Sequence, residues 1–334
     1  TTVLPEMDPT RPAKVNPRNI IDHVNDWKVT QAFGSPALWN VIGRHCEEHK
    51  IVLPTLRRVL SAGAPVPPHV LRRMKNAIPP DGDVHTPYGA TESLPVASIA
   101  ASEVLSQTAA RSAEGAGTCV GRRFPGMEWK VIRITDGPIA TLDQAEVLSP
   151  GEIGELIVQG GVVTTEYVTR VDANALHKIK DGDRFWHRMG DVGYLEPAAG
   201  ADDRSQRFWF CGRKSHRVMT ERGTLFTIPC EAIFNQHERV YRSALVGVGS
   251  LGRQRPVIIA EPWPKKRPRD KRDEQQLIEE LREKGAKHAH TSAINDFFLM
   301  ETLPTDIRHN AKIFREKLAV WAAKKLGERG ASAP

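Results

Sequence analysis

Cysteine is scarce. Only Cys46, Cys119, Cys211 and Cys230 occur in 334 residues, and no two are close enough for a CxxC pair. Reduced thiols in a cytoplasmic compartment are the simplest reading of so few. The histidines lack ligand spacing as well, which excludes an ordinary zinc site. No apolar run approaches the ~20 residues that cross a bilayer, so no membrane span is expected. The opening stretch, TTVLPEMDPTRPAKV, has no basic segment followed by an apolar one, which excludes a secretory signal. It starts with Thr and is Pro-rich and loop-like, which reads as a piece of something longer. No internal repeat is visible.

What is present fits a globular protein of several domains. Hydrophobic residues make 40% of the chain and charged ones 26%, the balance of an ordinary soluble fold. A length of 334 residues exceeds one ordinary core and predicts two or three domains. The formal charge is +7, and part of the excess lies in PKKRPRDKR, Pro264 to Arg272. Such a run could meet nucleic acid or an acidic membrane surface. It has no interleaved aromatics, and its two prolines prevent a basic recognition helix. A solvated linker is the better reading, and nucleic acid is set aside as a partner.

The first 110 residues alternate strand and helix, which predicts a parallel α/β sheet. Asn16-Pro17 opens one helix. VTQAF at 29–33 is a strand. Ser35 caps a helix with Pro36 at its first position, and Leu38, Val41 and Ile42 form its apolar stripe. Leu56 to Ala62 leads into a strand ending at Gly63. A helix follows over 68–77, and a strand over 84–86 runs into Tyr88-Gly89. From about Arg111 the chain becomes Gly-rich with short strands, including MEWKVIRITDG, Gly151 to Val163 and Arg207 to Cys211. This predicts a small β-barrel-like unit over 111–212. After Gly212-Arg213-Lys214 the pattern becomes α+β: helix 229–239, strands 243–248 and 256–261, helix 273–284, strand 296–301 and a last helix over 311–326.

Five short pieces carry the chemistry: SAGAPV at 61–66, PYGATES at 87–93, GELIVQGG at 154–161, HRMGDVGYLE at 187–196 and FCGRKSHRV at 210–218. Each joins permissive glycines to charged or hydroxyl side chains, which suits backbone approaching a phosphorylated, sugar-bearing ligand. In PYGATES the tyrosine offers a flat face for a purine and Thr91 a hydroxyl for a phosphate oxygen. Glu92 is a carboxylate of the kind that holds Mg²⁺ beside phosphate. Alone, the same letters fit a strand–turn–helix capped by Thr91. Asp191, at a turn after Gly190, can accept both hydroxyls of a ribose, although a Gly-Asp turn is also common between strands. Arg213 can bind ribose or phosphate, or stand on a solvated linker. Lys312 lies at a helix start, where the macrodipole disfavours a cation, so it can serve a ligand there. The apolar face of that helix is Ile313, Leu318, Trp321 and Leu326.

Together the pieces resemble the adenylate-forming superfamily of acyl-CoA synthetases, peptide-synthetase adenylation domains and luciferases. PYGATES resembles its Y-G-x-T-E motif. GEIGELIVQGGVVTTEY resembles its G-E-L-x-(I/V)-x-G…GY stretch, with Glu166-Tyr167 in place of GY. HRMGDVGYLE resembles its (Y/F)-x-T-G-D motif and FCGRKSHRV its hinge. GTLFTIPCEAIF at 223–234 and NAKIFR at 310–315 are similar to two C-terminal segments of the family. The collinear matches run from about Asn16 to Leu326. WHRMGDVGYL…RFWFCGRKSHRV most resembles the branch that includes the β-lactone synthetases of bacterial olefin biosynthesis.

The resemblance implies roles. Gly63 and Ala64 would border an adenine, Tyr88 with Gly89 would stack beside it, and Thr91 would contact the α-phosphate. Glu92 would hold magnesium. Asp191 would bind the ribose with Arg213 beside it, and Lys312 would stabilise the charge of the adenylation step. Gly223 would lie where a thiol approaches, and Pro95, Val96 and Ala97 near an acyl pocket. Three positions depart from the pattern: Met189 replaces a threonine, Ser215 a hinge Asp or Lys, and Asn310-Ala311 a Ser-Gly. The family's Ser/Thr/Gly-rich loop ending in Pro-Lys-Gly, which covers the β- and γ-phosphates, is absent from this sequence. The expected fold is therefore the adenylate-forming enzyme fold without its N-terminal part. It would comprise a partial α/β subdomain (1–110), a small β subdomain (111–212) and a mobile α+β C-terminal domain (213–334). The expected activity is ATP-dependent, AMP-forming activation of a fatty or β-hydroxy acid, with transfer to an internal hydroxyl or to a thiol such as coenzyme A. Association with other enzymes of the same pathway is a further expectation, and this chain alone is expected to be inactive. Two alternatives stand beside it: a non-catalytic nucleotide-binding or partner-binding fragment, and a peptide-synthetase-type adenylation domain.

Overall fold

The computed structural model describes residues 1–198, 203–305 and 313–331, without the side chains of 329–331. The first sheet is built from β1 (Gln31–Gly34), β2 (Arg58–Ser61), β3 (Asp83–Ala90) and β4 (Ser93–Ala100). β1, β2 and β3 are parallel, as the strand–helix alternation predicts. Helix Pro17–Asp26 precedes β1, and helices Pro36–His49 and Pro68–Ala77 connect β1 to β2 and β2 to β3. Their starts follow the sequence: Asn16 accepts from Arg18 N at 3.1 Å and Ser35 from Leu38 N at 3.3 Å, each with Pro at the first helical position. Their apolar faces, including Trp39, Ile42 and Met74, close one core with Leu56 and Val59.

β3 does not lead into a helix. It turns back at Thr91-Glu92 and pairs antiparallel with β4, so PYGATES is a hairpin. Gly89 makes the hairpin tight, because a Cβ there would sit 2.8 Å from Leu94 Cδ1 and closer still to Ser93 O. Thr91, at the turn of this hairpin, does not cap a helix.

β5 (Thr118–Cys119) enters a second sheet, whereas β6 (Arg122–Arg123) pairs with β4 in the first. The second sheet adds β7 (Met127–Ile132), β8 (Gly154–Gly160), β9 (Lys178–Asp181), β10 (Arg184–Leu195) and β11 (Phe208–Arg213). All its pairings are antiparallel, in the order β5-β11-β10-β8-β7, with β9 also against β10. Its core joins Val96 and Ala97 of β4 to Met127, Trp129, Leu156, Met189 and Phe208.

A two-stranded ribbon, β12 (Val218–Thr220) and β13 (Gly223–Leu225), precedes the C-terminal unit. That unit is a sheet of β14 (Val240–Val248), β15 (Arg255–Pro262) and β16 (Asp296–Leu299) with helices on both faces. Alternation along β14 sends Leu245 toward helices Thr227–Asn235 and Lys271–Ala286, and Ala244 and Val246 toward helix Arg315–Ala331. Two expected helices shift. The one expected over 229–239 spans Thr227–Asn235, with Pro229 in its first turn, because β14 already begins at Val240. The last begins at Arg315 rather than 311, since Ile313 instead bridges to Thr305. Among the described residues no helix is long and apolar enough to cross a membrane.

Candidate active site

Three of the five pieces converge on one carboxylate. Asp191 lies in β10, and only 4% of it is exposed. Tyr88, from β3, donates its hydroxyl to Asp191 Oδ2 at 2.5 Å. Arg213, at the end of β11, holds its Nη1 3.0 Å from Asp191 Oδ1. Register explains the second contact, because Asp191 stands directly opposite Arg213 in the β10–β11 ladder. Asp191 does not follow a turn. The long strand runs on through it and the irregularity is a bulge, with the β8 pairing shifted between Arg188 and Val192. Gly190, within that irregularity, sits at φ 66°, a left-handed conformation that favours glycine.

Met189, where the family pattern has threonine, turns its side chain into the core with 4% exposure. Its carbonyl accepts from Arg213 Nη1 at 3.1 Å, so this residue steadies the guanidinium through backbone. Burial pushes the Asp191 carboxyl up, opposed by Arg213 and by the Tyr88 hydroxyl. Burial likewise pushes the Tyr88 phenol well up, reinforced by the Asp191 charge. The ring of Tyr88 packs with Phe208 and Phe210, its centroid 6.1 and 6.5 Å from theirs. Although Asp191 is buried, its Oδ1 has no well-aligned hydrogen bond among the described residues. An acceptor in that state, beside a cation, is suited to a donor brought by a ligand.

Glu92 lies at the hairpin tip beside exposed Thr91. Its Oε1 accepts from the Tyr167 hydroxyl at 2.9 Å, and its carbonyl accepts from Thr164 N at 2.9 Å. Partial burial works against its charge. Its own backbone amide, the Tyr167 hydroxyl, His187 and Lys178 outweigh that and hold the carboxyl below its ordinary range. Gly63 and Ala64 follow β2 at the C-terminal end of the parallel strands, the edge where open α/β sheets bind ligands. Gly63 is exposed, and no hydrogen bond among the described residues ties either to Asp191. Val96 and Ala97 are fully buried, so of the three residues expected by an acyl pocket only Pro95 keeps exposed surface.

At the hinge, Lys214-Ser215-His216 forms one helical turn. Lys214 Nζ reaches Thr135 O and Glu155 Oε2, each at 3.1 Å. Arg217 reaches Asp136 Oδ2 at 2.5 Å, so Ser215 is flanked by one tie to β8 and one to the loop after β7. Glu155 itself is 0% exposed and pairs with Arg188, 1% exposed, at 2.6 Å. This pair was not singled out from the sequence. Its signal is an arginine within Trp186 to Met189, a run that is buried throughout. Gly223, in the β12–β13 ribbon, is exposed with open space around its Cβ position.

In the C-terminal unit, Glu231 of the 223–234 segment accepts from Arg315 Nη2 at 2.5 and 2.7 Å and from Leu245 N at 2.8 Å. The two C-terminal segments of the family pattern therefore meet. Lys312, like Asn310-Ala311, lies outside the described residues.

A family model described as AMP-binding enzyme matches residues 1–168. The chain is 46% identical to an olefin β-lactone synthetase of Stenotrophomonas maltophilia, over 98% of this chain and 57% of that protein. It is 44% identical to one of Xanthomonas campestris pv. campestris, over 97% of this chain and 57% of that protein. It thus spans little more than half the length of these relatives. Among solved structures, the amide bond synthetase McbA from Marinactinospora thermotolerans matches 92% of this chain and 56% of its own, with a TM-score of 0.69 and 20% identity. The o-succinylbenzoate CoA synthetase MenE from Bacillus subtilis, in complex with AMP, matches 91% of this chain and 53% of its own, with a TM-score of 0.65 and 19% identity. These likenesses establish the fold. The chain belongs to the AMP-binding enzyme family of the adenylate-forming superfamily, and its similarity is to the olefin β-lactone synthetase branch.

Proposed function

We propose that this chain carries the adenosine-binding part of an ATP-dependent, AMP-forming enzyme that activates a fatty or β-hydroxy acid. The observation that carries the reading is the meeting of Tyr88, Asp191 and Arg213, three motif residues from three separate strands. A buried carboxylate whose Oδ1 is ion-paired with a guanidinium but accepts no well-aligned hydrogen bond among the described residues suits the vicinal hydroxyls of a ribose. Tyr88 and the segment at Gly63 and Ala64 would border the adenine, with Gly89 shaping the hairpin. Thr91 would contact the α-phosphate.

In the first step a carboxylate oxygen attacks the α-phosphorus and the bond to pyrophosphate breaks, leaving an acyl-adenylate. Lys312 would stabilise the charge that develops there. In the second step a hydroxyl or thiol attacks the acyl carbonyl and AMP departs. Attack by the substrate's own β-hydroxyl closes a β-lactone, the outcome that the names of the two relatives favour. Attack by coenzyme A would give a thioester, with Gly223 on the approach.

The residues fit magnesium. No group of three or more His, Cys, Asp or Glu side chains among the described residues could hold a metal ion. Magnesium commonly takes one or two carboxylates plus phosphate oxygens and water. Glu92 is held ionised for that role. The cation would supply charge neutralisation at the phosphates, and Glu92 would orient it.

ATP–pyrophosphate exchange by the full-length protein with β-hydroxy fatty acids tests the reading. Exchange is expected, and Lys312→Ala should abolish it while AMP binding persists. No exchange with any fatty or hydroxy acid would overturn the proposal, and unchanged exchange in Lys312→Ala would remove that residue's role.

A further inference from the structure

The segment after β8 reaches across to the β3–β4 hairpin and grips it at three points. Val163 bridges to Ser93, Thr164 N donates to Glu92 O at 2.9 Å, and the Tyr167 hydroxyl donates to Glu92 Oε1 at 2.9 Å. The grip has its own frame. Asn174 clasps the backbone of Tyr167 from both sides, with Oδ1 2.7 Å from Tyr167 N and Nδ2 3.3 Å from Tyr167 O. Lys178 is 93% buried, its exposure being 7%. It donates to the carbonyl of Thr164 and, at 3.0 Å, to Thr164 Oγ1. Its ammonium also lies 5.5 Å from the centre of the Tyr167 ring. The rings of His177 and His187 stand edge-on to Tyr167, at 5.9 and 6.5 Å.

Tyr167 therefore has little freedom, and its single donor is spent on one oxygen of Glu92. A hydrogen bond to one carboxylate oxygen fixes the plane of the group and directs the remaining lone pairs, as outer partners do for metal-binding carboxylates. An unrestrained glutamate at an exposed hairpin tip would instead sample many rotamers.

We infer that Tyr167, framed by Asn174 and Lys178, is the positioning residue that aims the Glu92 carboxylate at a divalent cation carried by the nucleotide phosphates. The inference rests on the reading of Glu92 as a cation ligand. It adds to the site a tyrosine 75 residues away in sequence, together with the two residues that hold its loop in place.

The test uses Mn²⁺ as a paramagnetic probe, titrated against the full-length protein with ATP and followed by electron paramagnetic resonance. AMP affinity is measured separately without metal. Tyr167→Phe should weaken Mn²⁺ retention about tenfold, the scale of outer-partner losses, and leave AMP affinity unchanged. Asn174→Ala should move Mn²⁺ retention the same way. In a Glu92→Gln background, adding Tyr167→Phe should cost nothing further. If Glu92→Gln loses Mn²⁺ but Tyr167→Phe retains it fully, the positioning role is overturned and the cation reading stands. Equal losses of Mn²⁺ and AMP in Tyr167→Phe would also overturn it, since that is the mark of a merely structural residue. If Glu92→Gln binds Mn²⁺ like the unaltered chain, the cation reading fails and the positioning role falls with it.

Discussion

The hydroxyl of Tyr88 donates to Asp191 across 2.5 Å, although 103 positions separate the two residues. The bond ties the first, mixed sheet to the antiparallel one at the carboxylate proposed to bind ribose. Asp191→Ala removes that acceptor. Hydrogen bonds to a charged group contribute about 1.5–3 kcal/mol, so the Kd for AMP should rise at least tenfold. Isothermal titration calorimetry checks this, and an unaltered Kd would take Asp191 out of the ribose site.

Glu155 and Arg188 form a buried pair with 0% and 1% side-chain exposure. Arg188 also donates to the carbonyls of Thr135, Gly137 and Leu176. Glu155→Ala would leave the Arg188 charge buried without a counter-ion and would leave Lys214 with Thr135 O as its remaining partner of the two. A loss of about 3–5 kcal/mol in urea denaturation is expected. A change under 1 kcal/mol would show that the carbonyls alone suffice.

Gly89→Ala should destabilise the chain by roughly 1–3 kcal/mol, because its methyl would press on the backbone of Ser93 and on Leu94. Gly161→Ala is the control. Nothing lies within 4 Å of its Cβ position, and its change should stay within about 0.5 kcal/mol. Thermal melts of the two variants decide whether the hairpin is as tight as described.

His187 is 2% exposed, and burial, reinforced by Lys178, pushes its imidazole down to about 4. An unfolded chain would bind a proton there near pH 6.5, while the folded chain resists it until about pH 4. Stability should therefore hold above pH 6.5 and fall between pH 6.5 and 4, by up to ~3 kcal/mol from this group. Urea melts at pH 7, 5.5 and 4.5 measure the slope. His187→Phe should flatten it, and an identical slope in that variant would assign the loss to other groups.

Much of the local structure was legible. Asn16-Pro17 and Ser35-Pro36 each cap a helix as their letters indicate, since a cap is a matter of neighbours only. The parallel pairing of β1, β2 and β3 followed from strand–helix alternation. PYGATES was less legible, because a Thr-Glu pair after a strand suits either a helix start or a hairpin turn. The choice was made by β4, whose Val96 and Ala97 fill the core of the second sheet. The roles of Tyr167, Asn174 and Lys178 around Glu92 were illegible for a related reason, since nothing local pairs residues 75 apart.

The sequence by itself determined the set: which residue types occur, in which order, and hence the family to which the chain belongs. Those features survive any rearrangement of loops because they are properties of the covalent chain. The tertiary structure alone decided which members touch. Hydrogen bonds reach only about 3 Å, so the contact of Asp191 with Arg213 depends on the register between β10 and β11, and its contact with Tyr88 on the packing of one sheet against the other.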